Sequence, residues 1–329
     1  MNILSPGPLS TVQDMGRTGH AAQGYPECGA CDKYALALGN LLCGNPPTAA
    51  AIEMTLAGAT VQFEQSTVVA LTGAACVPTL DGQSIPLNAP VRIAAGETLE
   101  TGMFTAGLRA YLCVQGGVDV QPVLGSRSTD LKCRIGGIEG RALRKGDHLP
   151  VGKSAPDYAL DRAARASKLL AGKPWLLRPR TAHAYLGEQV IPLLRAVPGP
   201  QDDAFTADGL RAFFTGLYAV TPDSNRMGVK LSGPAATAKN GSDILSDGIV
   251  EGSVQISANG QPILMLADHQ TTGGYAKIAT VIAPDLSACA QLRPGELAAF
   301  RPITAQQAVR LCRDTAQQLR YIKELIDHG

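Results

Sequence analysis

The sequence of 329 residues is poor in aromatics, 5% with a single tryptophan, and poor in charge, 17% with a formal net charge of +1. No block of five or six like charges interrupts it, which argues against nucleic acid or an anionic membrane surface as a partner. No run of roughly 18 apolar residues occurs, so the sequence encodes no membrane-spanning helix. The opening MNILSPGPLSTVQD lacks the basic start and apolar stretch of a secretory leader. A cytoplasmic protein acting on a small neutral molecule or on another protein is the expectation.

Common chemical motifs are missing too. No GxGxxG opens a helix, and neither a GxSxG elbow nor HExxH is present. GDHLPVGKS, at 146–154, has one residue too many between its glycines and a proline inside, and reads as a turn rather than a phosphate cradle. No lysine sits in a Met-Lys-Met setting, so biotin, if used, is carried elsewhere. Eight cysteines are scattered along the chain; Cys28 and Cys31 have CxxC spacing without a second pair or a His pair beyond. They read as free thiols, and no metal is expected.

What the chain does have is glycine (36), proline (22) and short apolar, β-branched runs between them: TVVALTGA, LRAYLCV, VIPLLRAV, PILMLA and KIATVIA. Short strands with frequent turns predict a mostly β protein with few helices, a sandwich or barrel. Helical spacing appears in ACDKYALALGNLLCGN, with Asp32 as its cap and Gly44 as its stop, and near 202–214. After Ile303, Thr304 and Gln307 fit a capping box, and Ala308, Cys312, Ala316, Leu319, Ile322 and Ile326 mark one face to the C-terminus. Composition shifts at 153–188, giving an N-terminal domain at 1–152, a connecting segment, and a C-terminal domain at 189–329 with a terminal helix. A faint echo between halves, Arg17 with GATVQF and Arg226 with EGSVQI, hints at related units.

Polar groups cluster in a few places. In DHQTTGGY (268–275), an extended backbone sends Asp268 and Gln270 to one face and His269 to the other, which argues against an Asp268–His269 dyad. Thr271, Thr272, Gly273 and Gly274 then form a loop whose unpaired N–H groups would cradle a carboxylate or oxyanion, with Lys277 on the next strand. The plain alternative is a polar hairpin. Arg226, in SNRMGVKLSG, suits bidentate carboxylate binding or an ordinary ion pair. Arg127, Ser128, Thr129 and Asp130 follow a glycine-rich strand exit, as a pocket wall or a capped turn. Gln13, Asp14, Arg17 and His20 lie in a loop too long to be mere connection. Glu53, in AAAIEMTLAG, reads as a buried carboxylate, with Arg17 as one possible partner.

Together, TVQDMGRTGHAAQGYPECGACD, LLCGNPPTAAAIEMTLAG, GGVDVQPVLGSRSTD, VPGPQDDAF, SNRMGVKLSGP, SDGIVEGSVQISANGQPILMLADHQTTGGYAKIATVI and LRPGE resemble, in order, the KipA-type carboxyltransferase-domain proteins, also called allophanate hydrolase subunit 2 or, in bacteria, the C-type component of 5-oxoprolinase. The resemblance implies two tandem cyclophilin-like β-barrels. It also implies a heteromeric complex with KipI-type B and LamB/YcsF-type A subunits, cleaving 5-oxo-L-proline to L-glutamate with ATP used at the level of the complex. One alternative is a biotin-dependent carboxyltransferase for urea or another amide, its biotin on another protein; a second is a non-catalytic binder of a KipI-type kinase inhibitor. Where the family has Ser-Gly-Ala-Met-Asp, this chain has Cys28, Gly29, Ala30, Cys31 and Asp32. The candidate catalytic residues are His269, Lys277 and Asp268. Candidate substrate contacts are Arg226, Gln270, Thr271, Thr272, Gly273, Gly274, Arg127, Ser128 and Arg17, for a small amide or lactam.

Overall fold

The computed structural model describes residues 1–153, 161, 165, 168, 170 and 172–328. It is mostly β, as expected, with four α-helices among the described residues: α1 (Lys33–Leu42), α2 (Ala207–Thr215), α3 (Ala283–Gln291) and α4 (Ala305–His328). Two compact units divide the chain. The first comprises Met1–Thr18, Cys28–Arg178 and Gln317–Gly329; the second comprises Gly19–Glu27 and Pro179–Ala316.

In the first unit two five-stranded sheets share one core. One contains Asn2–Ser5, Thr60–Gln62 and Thr98–Glu100; the other contains Leu9–Gln13, Ala51–Thr55, Ala106–Val114 and Thr67–Ala75. Ile3, Val61 and Leu99 from the first sheet meet Val12, Ile52, Leu71 and Leu112 from the second. The second sheet is covered on its other face by α1, where Leu36, Leu38 and Leu42 pack with Ala51, Ala70 and Tyr111. Burial on both faces explains why TVVALTGA and LRAYLCV read as near-continuous apolar runs. Asp32 caps α1 by accepting from the Ala35 N–H at 3.0 Å, and Gly44 takes a left-handed φ of 73° just beyond it.

The second unit is a closed seven-strand barrel. From Gln189–Pro198 the ladder passes through Lys277–Val281, Ser253–Ile256, Pro262–Met265, Gly228–Ser232, Leu217–Val220 and Leu297–Pro302, and closes in parallel on Gln189–Pro198. Closure removes the exposed edges of an open sheet. The barrel interior is filled by Leu194, Val254, Leu264 and Ile278, while Phe213 of α2 stacks on Phe300 at 4.4 Å.

Some boundaries differ from expectation. Residues 153–188 fall partly outside the described residues, and the strand Ala182–Leu186 within them already pairs with Gln189–Pro198. Helix α2 starts only after Thr206, whose side chain accepts from the Gly209 N–H; Asp202–Ala204 is a 3-10 turn. Helix α3 has no expected counterpart, because its opening Ile-Ala-Pro continues the apolar strand before it. The Thr304–Gln307 capping box forms reciprocally, at 2.9 and 3.2 Å. Along α4, however, only Ile322 and Ile326 are fully buried, with Tyr34 and Leu38 in the first unit's cluster, while Ala316 is exposed. No described helix is long and apolar enough to cross a membrane.

Candidate functional site

In the first unit, strand Leu9–Gln13 delivers Asp14 and Arg17 to the segment Ser126–Asp130. Asp14 organises it: one carboxylate oxygen accepts from Gly16 N–H at 2.8 Å and from the hydroxyls of Ser126 and Ser128, the other from Arg127 N–H at 2.6 Å. Arg127 sends its side chain to Asp119 at 2.7 Å on the surface. Arg17 is 1% exposed and donates from Nη2 to the Ser128 carbonyl at 2.7 Å, yet its Nε and Nη1 have no hydrogen-bond partner. Gln13 Oε1 and Asp130 Oδ2 nearby in sequence are likewise buried and unsatisfied. A buried guanidinium on one neutral carbonyl is expensive. Gly136 is required here, since a Cβ would stand 2.1 Å from the Ser128 carbonyl oxygen and 2.9 Å from Arg17 Nη2, with φ at 69°.

Glu53 has other partners than Arg17. It accepts from Tyr111 Oη at 2.7 Å and from Cys31 N–H at 2.9 Å, and lies 3.8 Å from Arg109 Nε. Burial, and next the neighbouring Glu53 charge, push the Tyr111 hydroxyl pKa far above its ordinary value.

In the second unit DHQTTGGY folds in two parts. Asp268 and His269 sit in a turn, not in extended backbone; the His269 N–H reaches the Leu266 carbonyl at 3.0 Å. Asp268 grips Arg226 side-on, Nε to Oδ2 at 2.9 Å and Nη2 to Oδ1 at 2.8 Å, so this arginine holds the chain's own carboxylate. His269 is 6% exposed, with Nδ1 2.7 Å from the Gln270 carbonyl. A carbonyl only accepts, so Nδ1 carries a proton, and in the neutral ring the lone pair then lies on Nε2. Gln270 itself is exposed.

The expected oxyanion loop is instead a strand. Thr272–Tyr275 pairs with Asp243–Gly248 in a two-stranded ribbon, Thr272 opposite Gly248 and Gly273 opposite Asp247, and the Thr271 carbonyl accepts from Ile249 N–H at 3.0 Å. Ladder pairing replaces the open amide cradle. Gly273 packs where a Cβ would stand 2.5 Å from Ile249 Cδ1 and 2.8 Å from Gln255 Nε2.

Lys277 is 4% exposed and bonds to the Asp247 carboxylate and, at 3.0 Å, to the Gly248 carbonyl, both on that ribbon. The Lys277 hydrogen bond, first among its causes, holds the Asp247 carboxyl below the usual carboxylate range. Gln201 adds a contact to each, 3.2 Å to Asp247 Oδ2 and 3.2 Å from Lys277 N–H. Register separates this centre from the Asp268 turn: Lys277 is opposite Gln255 and thus level with Ile263 and Lys230, whereas Arg226 and Asp268 lie beyond the Gly228–Met265 end. Asp247, Gln201 and Gln255 carry no local motif. Asp14 was marked by its loop and Ser128 by its strand exit, but neither Ser126 nor the contact of both serines with Asp14 was.

The family model for the carboxyltransferase domain, subdomains A and B, matches residues 23–302. The chain is 38% identical to the C component of 5-oxoprolinase from Escherichia coli over 99% of its own length and 97% of that protein, and 36% identical to the Haemophilus influenzae counterpart over 99% of both. It is 31% identical to urea amidolyase of Saccharomyces cerevisiae, covering 94% of this chain but 17% of that one. Among solved structures, urea amidolyase of K. lactis superposes with a TM-score of 0.82 at 29% identity, over 98% of this chain and 20% of that one.

Proposed function

Because the chain belongs to the carboxyltransferase-domain family, subdomains A and B, we propose that it is the C-type component of an ATP-dependent 5-oxoprolinase, working with KipI-type B and LamB/YcsF-type A subunits to convert 5-oxo-L-proline to L-glutamate. The observation that carries this reading is the two-way coverage: 97–99% of two free-standing C components at 36–38% identity, against 17% of the yeast urea amidolyase. In the second unit, His269 Nε2 is the proton acceptor and donor for the lactam nitrogen, with Asp268 and Arg226 fixing the turn that holds it. Lys277 supplies a buried cation at the ribbon, near Thr272, Gly273 and Gly274. In the first unit, Arg17 is the residue to bind an anionic substrate group, because two of its nitrogens lack partners; Ser128 and Arg127 shape its surroundings. ATP is used by the complex.

The test is reconstitution with purified A and B partners, following glutamate release from 5-oxoproline. Conversion by the complex and its loss by roughly 100-fold in His269→Ala or Lys277→Ala are expected; full activity in both variants would sink the site assignment. A second reading is favoured by the family description and by the K. lactis likeness over 98% of this chain: carboxyl transfer to urea or another amide, with biotin on a separate carrier. Bicarbonate-dependent, avidin-sensitive turnover without glutamate release would select it.

A further inference from the structure

We propose that the cavity beside the barrel-closing strands and the start of α4 binds a phosphate monoester of a small organic molecule, held by Arg301 and Arg310. The cavity, of about 460 Å3, lies within the second unit and is lined by Arg195, Arg301 and Arg310 together with Ile303, Leu311 and Asp314. This size is within the range of small-molecule pockets.

The charge arrangement points to an anion. Strand Leu297–Pro302 closes the barrel in parallel on Gln189–Pro198 with Arg301 directly paired to Arg195, so both side chains leave one face of the sheet. Like charges placed opposite one another in a ladder are destabilising. Arg195 is neutralised by buried Asp285, through Nε at 2.9 Å and through Nη2, which also reaches the Arg180 carbonyl at 2.6 Å. Arg301 and Arg310 have no ion-pair partner among the described residues. The cavity's own acid, Asp314, lies one turn beyond Arg310 on α4 and makes no ion pair with either. Two guanidinium groups without an ion-pair partner and one carboxylate therefore line the cavity, leaving the site net positive.

The ligand class follows from the side chains. Guanidinium forks match the oxygens of phosphate in geometry and charge. Ile303, Leu311 and Pro302 add an apolar wall, which inorganic phosphate does not use but the organic portion of an ester does. Both arginines are exposed, so the interaction is screened by salt. The proposal does not rest on the reaction proposed above.

Calorimetric titration of the full chain with AMP, glycerol 3-phosphate and inorganic phosphate, at about 20 and 300 mM salt, tests it. Expected are binding of at least one ester, weaker binding of inorganic phosphate, and weakening at the higher salt. Arg301→Ala combined with Arg310→Ala should lower ester affinity by roughly ten-fold or more at an unchanged melting temperature, and Asp314→Asn should raise it. Esters that fail to bind up to about 10 mM, equal affinity for wild type and double variant, or free phosphate binding as tightly as any ester would each overturn the proposal. Because neither arginine is assigned to the site proposed for glutamate release, the outcome of the His269 and Lys277 variants leaves this result untouched.

Discussion

At the scale of single residues, Glu53 and Arg17 are opposite solutions to one problem. Both are charged and almost fully enclosed. Glu53 is met by a phenol, a backbone N–H and Arg109, whereas Arg17 rests on a single carbonyl. Removing Glu53 takes the opposing charge away from buried Arg109, and Glu53→Ala should cost about 3–5 kcal/mol in urea unfolding. Tyr111→Phe, which leaves a buried carboxylate one donor short, should cost about 1–3 kcal/mol. If Arg17 serves only to brace Ser128, Arg17→Lys should lower stability without changing substrate affinity; the proposed role requires KM to rise while the urea midpoint moves little. Asp147 gives a pH signature. Its hydrogen bond to Arg141 holds its carboxyl below the ordinary value. A depressed carboxyl stabilises the fold above its unfolded pKa of about 3.9 and loses that contribution as pH falls through the lower folded value. Wild type should therefore exceed Asp147→Asn in urea midpoint at pH 6, with the gap beginning to narrow as pH falls below about 4.

At the scale of elements, helix α1 offers a sign reversal. Gly39 is mid-helix, where Gly→Ala ordinarily stabilises by about 0.5–1 kcal/mol. Here a Cβ would stand 2.6 Å from Cys113 Sγ and 2.9 Å from Thr72 Oγ1 in the strands below. Gly39→Ala should therefore destabilise by about 1–3 kcal/mol, and a rise in melting temperature would refute the close approach. The α1 cap, the Thr304–Gln307 box and the β-rich class were legible because each is written within a few residues or in local periodicity. The TTGGY strand was not, since its partner Asp243–Gly248 is remote in sequence and a Gly-Gly pair carries the local mark of a turn. Likewise Asp14 meets Ser126 and Ser128 across more than a hundred residues. The Asp268–Arg226 pair was missed for a related reason: alternation places side chains on faces only where the backbone is extended, and Asp268 is in a turn.

At the scale of the whole molecule, sequence order and compact units do not coincide, and α4 shows why. Its last turns bury Ile322 and Ile326 in the cluster formed by α1, with Tyr34, Leu38 and Leu170, so residues after 316 belong to the first unit although the barrel before them belongs to the second. An apolar stripe in a C-terminal helix reports that the helix is covered, not which unit covers it. The assignment makes a localised prediction. Ile322→Ala removes a side chain with no exposure and should cost about 2–5 kcal/mol. Hydrogen exchange should report that loss in α1 and in Ala106–Val114, the strand beneath it, while amides of the barrel strand Ser253–Ile256 keep their protection. Val309→Ala, on the same helix but 49% exposed, should change stability by no more than about 0.5 kcal/mol. Were Ile322→Ala to loosen the barrel strands first, the last turns of α4 would have to be counted with the second unit.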